Sequence, residues 1–409
     1  MFFPTLFQKS RKVITSSELS ELIGLSYDTY SGRKVSTQLA MQLTSVFSCV
    51  RVLAESVGML PCSLYEQLES GNKRATKERL HKLLAVKPNN YMTPQELWEL
   101  LIACLCLRGN FYAYKVYALG EVVELLPLDP SCVTPKLNNQ WEPEYQVTFP
   151  NGKSETLTQQ EIWHERIFTL DGLVGLSPIA YARQAIGLGL ATEEHGARLF
   201  GNGAVTSGVL QTEQELSDLA FDRLKRDFEE NHQGLTNAHK PLILEMGLKW
   251  QQISLSAEDA QFLETRKFQL EEICRIFRVP LHMVQNTDRA TFNNIENLGI
   301  GFINYSLVPY LIRIEQRINA GLVKASKQGT FYAKFNTGAL LRGDMKSRFE
   351  AYSTGINWGI YSPNECRELE ELNPREGGDI YLTPMNMTTK PETQKQEEKA
   401  HADDDQTAA

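Results

Sequence analysis

The chain contains no C-x-x-C pair and no cluster of Cys and His, so a structural zinc site has no ligand set to draw on. It has no G-x-x-x-x-G-K-[ST] loop, which argues against a P-loop motor that hydrolyses ATP. No apolar run approaches the roughly 20 residues of a membrane span, and the start MFFPTLFQKSRK has too short an apolar part for a signal peptide. Positive charge is also scarce: the net charge is −8, whereas a surface that holds nucleic acid tightly concentrates Lys and Arg. There is no internal repeat.

What is present is the 42% hydrophobic content of an ordinary soluble protein, spread over 409 residues, enough for two or more packed units. The seven cysteines, Cys49, Cys62, Cys104, Cys106, Cys132, Cys274 and Cys366, are odd in number and fit core positions in a reducing compartment.

In chain order, a loose N-terminal segment (1–35) precedes a helix opened by Ser36, with Leu39, Leu43, Val46, Val50, Leu53 and Val57 spaced as a buried seam. Leu60–Leu68 reads as a strand. Thr93-Pro94 starts a second helix that ends near Arg108-Gly109. From there the pattern turns to short β-rich runs, Phe111–Tyr117, Val122–Leu126, Tyr145–Phe149 and Ile162–Phe168, so the region to about residue 170 predicts one α+β unit. Ser177 caps and Pro178 begins a helix to about Phe200, in which Gly187, Gly189 and Gly196 imply close approach of a neighbouring backbone. Residues 205–254 read as a compact insert: a strand at Val205–Leu210, a helix from Ser217 to His232, and strands at Leu242–Met246 and Leu248–Ile253.

The stretch 256–304 organises the rest. Ser256 with Asp259 predicts a capping box, and Pro280 ends a long helix whose apolar stripe, Leu263, Leu270, Cys274 and Phe277, is narrow. Such a helix suits a strut packed against copies of itself. It carries a polar loop, Gln285–Asn294, that contains no Gly. Asn293–Val323 is helical in pattern with a kink expected before Pro309, Phe331–Phe335 is a strand, and helices follow at about 345–357 and 363–371, the second with a Ser362/Glu365 capping box. The tail 388–409 has almost nothing apolar and reads as disordered and acidic.

The search for chemistry returns bland readings. Gly187-Leu188-Gly189 lies inside a helix and reads as packing; Gly175-Leu176-Ser177-Pro178 reads as helix capping rather than a nucleophile elbow. His164-Glu165 lies on a strand with no second His at metal spacing, and Glu193-Glu194-His195 reads as a solvated helix face. An enzyme lacks a motif, a membrane channel lacks a span, and a nucleic-acid module lacks positive charge. An assembly protein with a head-to-tail interface remains.

The stretches SVFSCVRVLAESVGMLPCSLY (45–65), LRGNFYAY (107–114), LLPLDPSCV (125–133), LDGLVGLSPIAYARQAIGLGLATEEHGARLFGNGA (170–204), LKWQQISLSAEDAQFLETRKFQLEEICRIFRVP (248–280) and LLRGDMKSRFEAY (340–352) resemble, in order, the portal proteins of tailed bacteriophages with Hong Kong-type heads. The resemblance implies an α+β portal fold in a dodecameric ring: a wing (36–175), stem helices (176–204 and 255–282), an α/β clip (205–254), a tunnel loop with a kinked wing helix (283–330) and a helical crown (331–387). It also implies a channel-facing tunnel loop with Gln285, Asn286, Thr287, Asp288, Arg289, Thr291, Asn293 and Asn294, and stem-helix residues Glu264, Arg266, Lys267, Glu271, Glu272 and Arg275. The implied partners are further copies of the chain, the terminase large subunit, the major capsid and scaffold proteins, a head-completion adaptor and double-stranded DNA in transit. No catalytic residue, metal, cofactor or membrane is implied. The implied place is the portal vertex of the virion, reached from the host cytoplasm during assembly. The alternative is a related head-to-tail connector ring that does not touch the terminase.

Overall fold

The computed structural model describes residues 26–69, 71–149, 152–201, 208–212, 217–231, 248–252, 258–284, 298–339, 345–370 and 372–382, and it divides into two units, Met1–Ala339 and Leu340–Ala409. In the first unit Tyr27 and Val35 are joined by an antiparallel bridge, and Val35 is fully buried. The segment expected to be loose through residue 35 is therefore a pinned turn from Tyr27 on. The Ser36 hydroxyl then accepts from the Leu39 amide and opens Thr37–Gln42. The single seam helix expected here is two helices, because Leu43 is extended between Thr37–Gln42 and Thr44–Gly58. Leu43 packs instead on Gly189, where an added Cβ would come within 3.0 Å of its Cδ2. Val46, Val50, Leu53 and Val57 are buried as the seam requires.

Helix Pro94–Arg108 is bounded by local chemistry at both ends. Thr93 and Glu96 form the reciprocal capping box, with the Thr93 amide donating to Glu96 Oε2 at 2.7 Å, and Gly109 stops the helix at φ 77°. The chain then enters β3 (Asn110–Ala118), the centre of a sheet ordered β4-β3-β8, with β4 at Glu121–Leu128 and β8 at Ile162–Arg166. A second sheet, β5-β6-β7, comprises Val133–Leu137, Pro143–Thr148 and Ser154–Thr158. The β1 strand (Cys62–Leu68) lies between β2 (Gly71–Arg74) and β11 (Phe331–Phe335), with Cys62 opposite Phe335. Strand Phe331–Phe335, placed by sequence at the start of the 331–387 segment, is thus a strand of the first unit.

Strands β2 and β7 and helix Arg79–Ala85 escape the periodicity argument for a simple reason. All four β2 residues are exposed, β7 buries only Leu157, and the helix has 7 residues, so none of the three repeats an apolar face long enough to show a period. The core joins the layers through edge-to-face aromatics: Trp98 meets Trp163 at 6.3 Å and Phe335 at 5.1 Å between ring centroids, and Phe111 meets Trp163 at 5.7 Å.

Ser177 caps as expected, but the helix that follows is broken at Ala182 into Pro178–Tyr181 and Arg183–Gly201. Of the insert, β9 (Gly208–Gln211) pairs antiparallel with β10 (Lys249–Gln252), with helix Asp218–Asn231 between them in sequence. The expected strand Leu242–Met246, the Ser256 cap and the tail 388–409 lie outside the described residues. Helix Glu258–Phe277 spans about 30 Å at about 1.5 Å per residue. The expected kink at Pro309 takes the form of a π-helical turn, Ile303–Leu307, immediately before helix Val308–Gly321; a wider turn there accommodates a residue with no amide hydrogen to give.

In the second unit, helix Met345–Asn357 is followed by Pro363–Leu369, which carries the Ser362/Glu365 capping box. Glu370 ties the two, accepting from an Arg348 guanidinium nitrogen at 2.9 Å and from the Tyr352 hydroxyl at 2.9 Å.

Candidate functional site

Helices Arg183–Gly201 and Glu258–Phe277 pack on each other, and Glu258–Phe277 also packs on Thr44–Gly58. Along the second of these, Gln269, Ile273, Cys274 and Phe277 are buried at helical spacing, and Leu270 is partly covered. Leu263, also expected in that stripe, has no described side-chain placement. Cys274 Sγ lies 3.8 Å from Cys49 Sγ, so the two thiols meet in the core between helices, both reduced.

The stem-helix residues singled out by the resemblance fall on the other faces. Glu264, Arg266, Lys267, Glu271 and Arg275 are exposed, and Glu272 is half-buried. Arg266 is the member of this set brought to a partner across the pair: its guanidinium lies 4.0 Å from Glu193 Oε1, which also accepts from Thr44 Oγ1 at 3.4 Å. Glu194 pairs with Arg198 at 2.6 Å and with Arg33. The tunnel-loop residues Gln285, Asn286, Thr287, Asp288, Arg289, Thr291, Asn293 and Asn294 lie outside the described residues. The glycines admit neighbouring side chains rather than the backbone expected from the sequence: an added Cβ at Gly187 would lie 2.7 Å from Thr29 Cγ2, and Gly189 abuts the Leu43 side chain.

The pair is mounted on the β4-β3-β8 sheet through a joint at residues 107–110 and 175–177. Asn110 Nδ2 donates to the Gly175 carbonyl at 2.8 Å, while Asn110 Oδ1 accepts from the Gly175 amide at 2.7 Å. Ser177 Oγ donates to the Leu107 carbonyl at 2.9 Å and also caps the following helix. Gly175 lies directly against the Gly109 carbonyl, leaving no room for a Cβ. The G-L-S-P stretch is thus a joint and a cap.

Behind the joint sits a buried polar cluster that sequence reasoning missed. His164 Nε2 lies 3.1 Å from Asn110 Oδ1, already fixed as an acceptor, so Nε2 carries the proton; Nδ1 then accepts from the Tyr145 hydroxyl at 3.3 Å. Burial, with Arg166 and Arg317 nearby, pushes the imidazole pKa down to about 3, so it is neutral. Glu165 is fully buried; Trp163 Nε1 donates to its Oε1 at 3.1 Å. Burial drives the Glu165 carboxyl well above the usual range, against the opposing pull of Arg317, the Trp163 indole, Arg166 and Arg313. Lys115, also buried, donates to the Gln159 and Gly321 carbonyls at 3.0 and 3.2 Å, and burial lowers its pKa to about 8. The signal in the sequence was that Ile162–Arg166 runs I-W-H-E-R without polar alternation; Ile162 to Glu165 are all buried.

Apart from Glu165 Oε2, these polar groups bond to one another, to Trp163 or to the backbone, and they face no common reaction centre. Among the described residues, no group of three or more His, Cys, Asp and Glu is arranged to hold a metal, and no helix is long and apolar enough to cross a membrane.

Comparison with known proteins agrees with this layout. The family described as phage portal protein matches residues 44–371. The portal protein of Enterobacteria phage HK97 is 31% identical over 379 residues, covering 91% of this chain and 88% of the relative. Protein BeeE of Escherichia coli strain K12 is 67% identical over 135 residues, 32% of this chain and 86% of that protein. Among solved structures, a chain in the neck of a native gene transfer agent particle, computed with C12 symmetry, superposes with a TM-score of 0.57 at 25% identity, covering 83% of this chain and 94% of the other.

Proposed function

The chain belongs to the phage portal protein family, and from that premise we propose that twelve copies form a ring at one vertex of the head, through which double-stranded DNA is driven in by a terminase large subunit and later leaves. The observation that carries this reading is the likeness, over most of both chains, to a chain in a gene transfer agent neck computed with C12 symmetry. In the proposed ring, 36–175 forms the wing, 176–204 and 255–282 the stem, 205–254 the clip, and 283–294 the tunnel loop. Because β11 pairs with β1, we assign 331–339 to the wing side and start the crown at 340. Capsid and scaffold proteins and a head-completion adaptor dock on the outside. The ring itself performs no catalysis; its work is geometric and electrostatic.

The stem charges suit that work. Glu264, Glu271 and Glu272 offset Arg266, Lys267 and Arg275, so these six residues carry no net positive charge. Each phosphate neutralised by Lys or Arg adds counterion-release affinity, and twelvefold repetition of such contacts would become a brake on sliding DNA.

The test is replacement of residues 286–291 by a Gly/Ser linker of equal length. Rings should still enter heads, seen by electron microscopy as particles with rotational symmetry and a central hole, while the amount of full-length DNA packaged or retained should fall. Heads that fill and hold DNA like the parent would refute the tunnel-loop role. Rings that enter heads but do not support terminase-driven packaging even in the parent would favour the connector reading.

A further inference from the structure

A groove of about 820 Å³ lies beside the joint between the sheet and the helix pair. Its lining includes Phe168, Leu170, Tyr181, Leu188 and Ile276, with Glu272 among them. Phe168 is 62% exposed, Leu170 74% and Tyr181 66%, which is far more aromatic and aliphatic surface than isolated apolar residues leave in one place. The lining residues come from the loop after β8, from both pieces of the broken helix and from the end of helix Glu258–Phe277, so the groove is a built feature of the fold.

The chain's own N-terminal arm arrives at this groove. The Tyr30 amide donates at 3.0 Å to Oε1 of Gln184, itself a lining residue, and Thr29 packs against Gly187 one turn further along the same helix. The Tyr27–Val35 bridge anchors the arm there. Preceding it in sequence are Phe2, Phe3, Leu6 and Phe7, followed by Lys9, Arg11 and Lys12, an apolar cluster with a basic flank that complements a groove carrying Glu272.

We propose that Phe2–Phe7 of the same chain occupies this groove, closing the apolar surface between the sheet and the helix pair. Reach is ample. From Ser26 back to Phe7 the chain spans up to about 60 Å when extended, whereas its anchor touches the groove's own helix. Tethering so close to the site raises the effective concentration of the segment to about the millimolar range, which favours it over a free partner.

The experiment places the photo-crosslinking residue p-benzoylphenylalanine at position 3, or at position 7, of the full chain. Isotopically light and heavy chains are mixed before assembly and the crosslinked peptides are mapped by mass spectrometry. The expected products join the N-terminal peptide to 167–188 or to the peptide containing Ile276, as light–light and heavy–heavy pairs only. Leu170→Asp together with Tyr181→Asp should lower the yield at least about tenfold, because each places a charge where an apolar side chain would bury. Both positions are largely exposed, so circular dichroism should be unchanged. Light–heavy pairs would assign the groove to a neighbouring copy. Those pairs, links only elsewhere in the chain, links to another protein, no links at all, or a yield indifferent to the substitutions would each overturn the proposal.

Discussion

Glu165 is fully buried, its Oε1 held by the Trp163 indole and its Oε2 without a hydrogen-bond partner among the described residues. Its carboxyl titrates higher in the fold than in the unfolded chain, chiefly through burial, so the fold binds that proton more tightly and loses stability as pH rises above the ordinary carboxylate range of about 4.3. Glu165→Gln should remove this loss: in urea unfolding at pH 5 to 8.5 the variant should gain on the parent with pH, by at most about 1.4 kcal/mol per unit. A constant difference across that range would show that ionisation is not involved. His164 works in the opposite sense. Its folded pKa is lowered, so its contribution is present above about 6.5 and is lost as pH falls toward about 3. The joint is tested at Gly175, where any Cβ meets the Gly109 carbonyl. Gly175→Ala should cost more than about 2 kcal/mol, read as a fall in Tm, because the obstacle is backbone and cannot swing aside.

At the scale of elements, helix Glu258–Phe277 is held by burial of Ile273, Cys274 and Phe277, with Cys274 against Cys49, and its polar contact to Arg183–Gly201 adds little. Glu193 and Arg266 lie 4.0 Å apart with roughly a third and half of their side-chain surface exposed. A double-mutant cycle with Glu193→Gln and Arg266→Gln should therefore return a coupling below about 1 kcal/mol. A larger value would make the pair a structural tie. The two breaks, at Leu43 and Ala182, serve the same packing: the first turns a leucine onto Gly189, and the second lies between Ser177, bound to Leu107, and the helix that receives the N-terminal arm.

For the molecule as a whole, the decisive quantity is charge. With a net charge of −8 and no net positive charge along helix Glu258–Phe277, the protein should bind duplex DNA weakly and without sequence preference, with affinity falling steeply as salt rises. Fluorescence anisotropy at 50 to 200 mM salt, on two unrelated duplexes, checks this. Tight, sequence-selective binding at physiological salt would contradict a channel built for sliding.

Where a few neighbouring residues settle a feature, the sequence was sufficient. The helix start at Thr93-Pro94, the Ser362/Glu365 capping box, the stop at Gly109, the strand Phe331–Phe335 and the disturbance before Pro309 are all found, because caps, turns and proline chemistry act within one or two helical turns. The stretches that resemble portal proteins likewise identified the family from order and motif. Long-range adjacency needed the folded chain. Only there does β11 pair with β1, Leu43 break a seam to reach Gly189, and Asn110, Tyr145 and His164 share hydrogen bonds. The I-W-H-E-R run hinted at a strand covered on both faces, but whether its carboxylate is buried or wet depends on which distant segments cover it. Periodicity reports how each segment divides its faces between core and solvent; the identity of the covering surface is decided by tertiary packing.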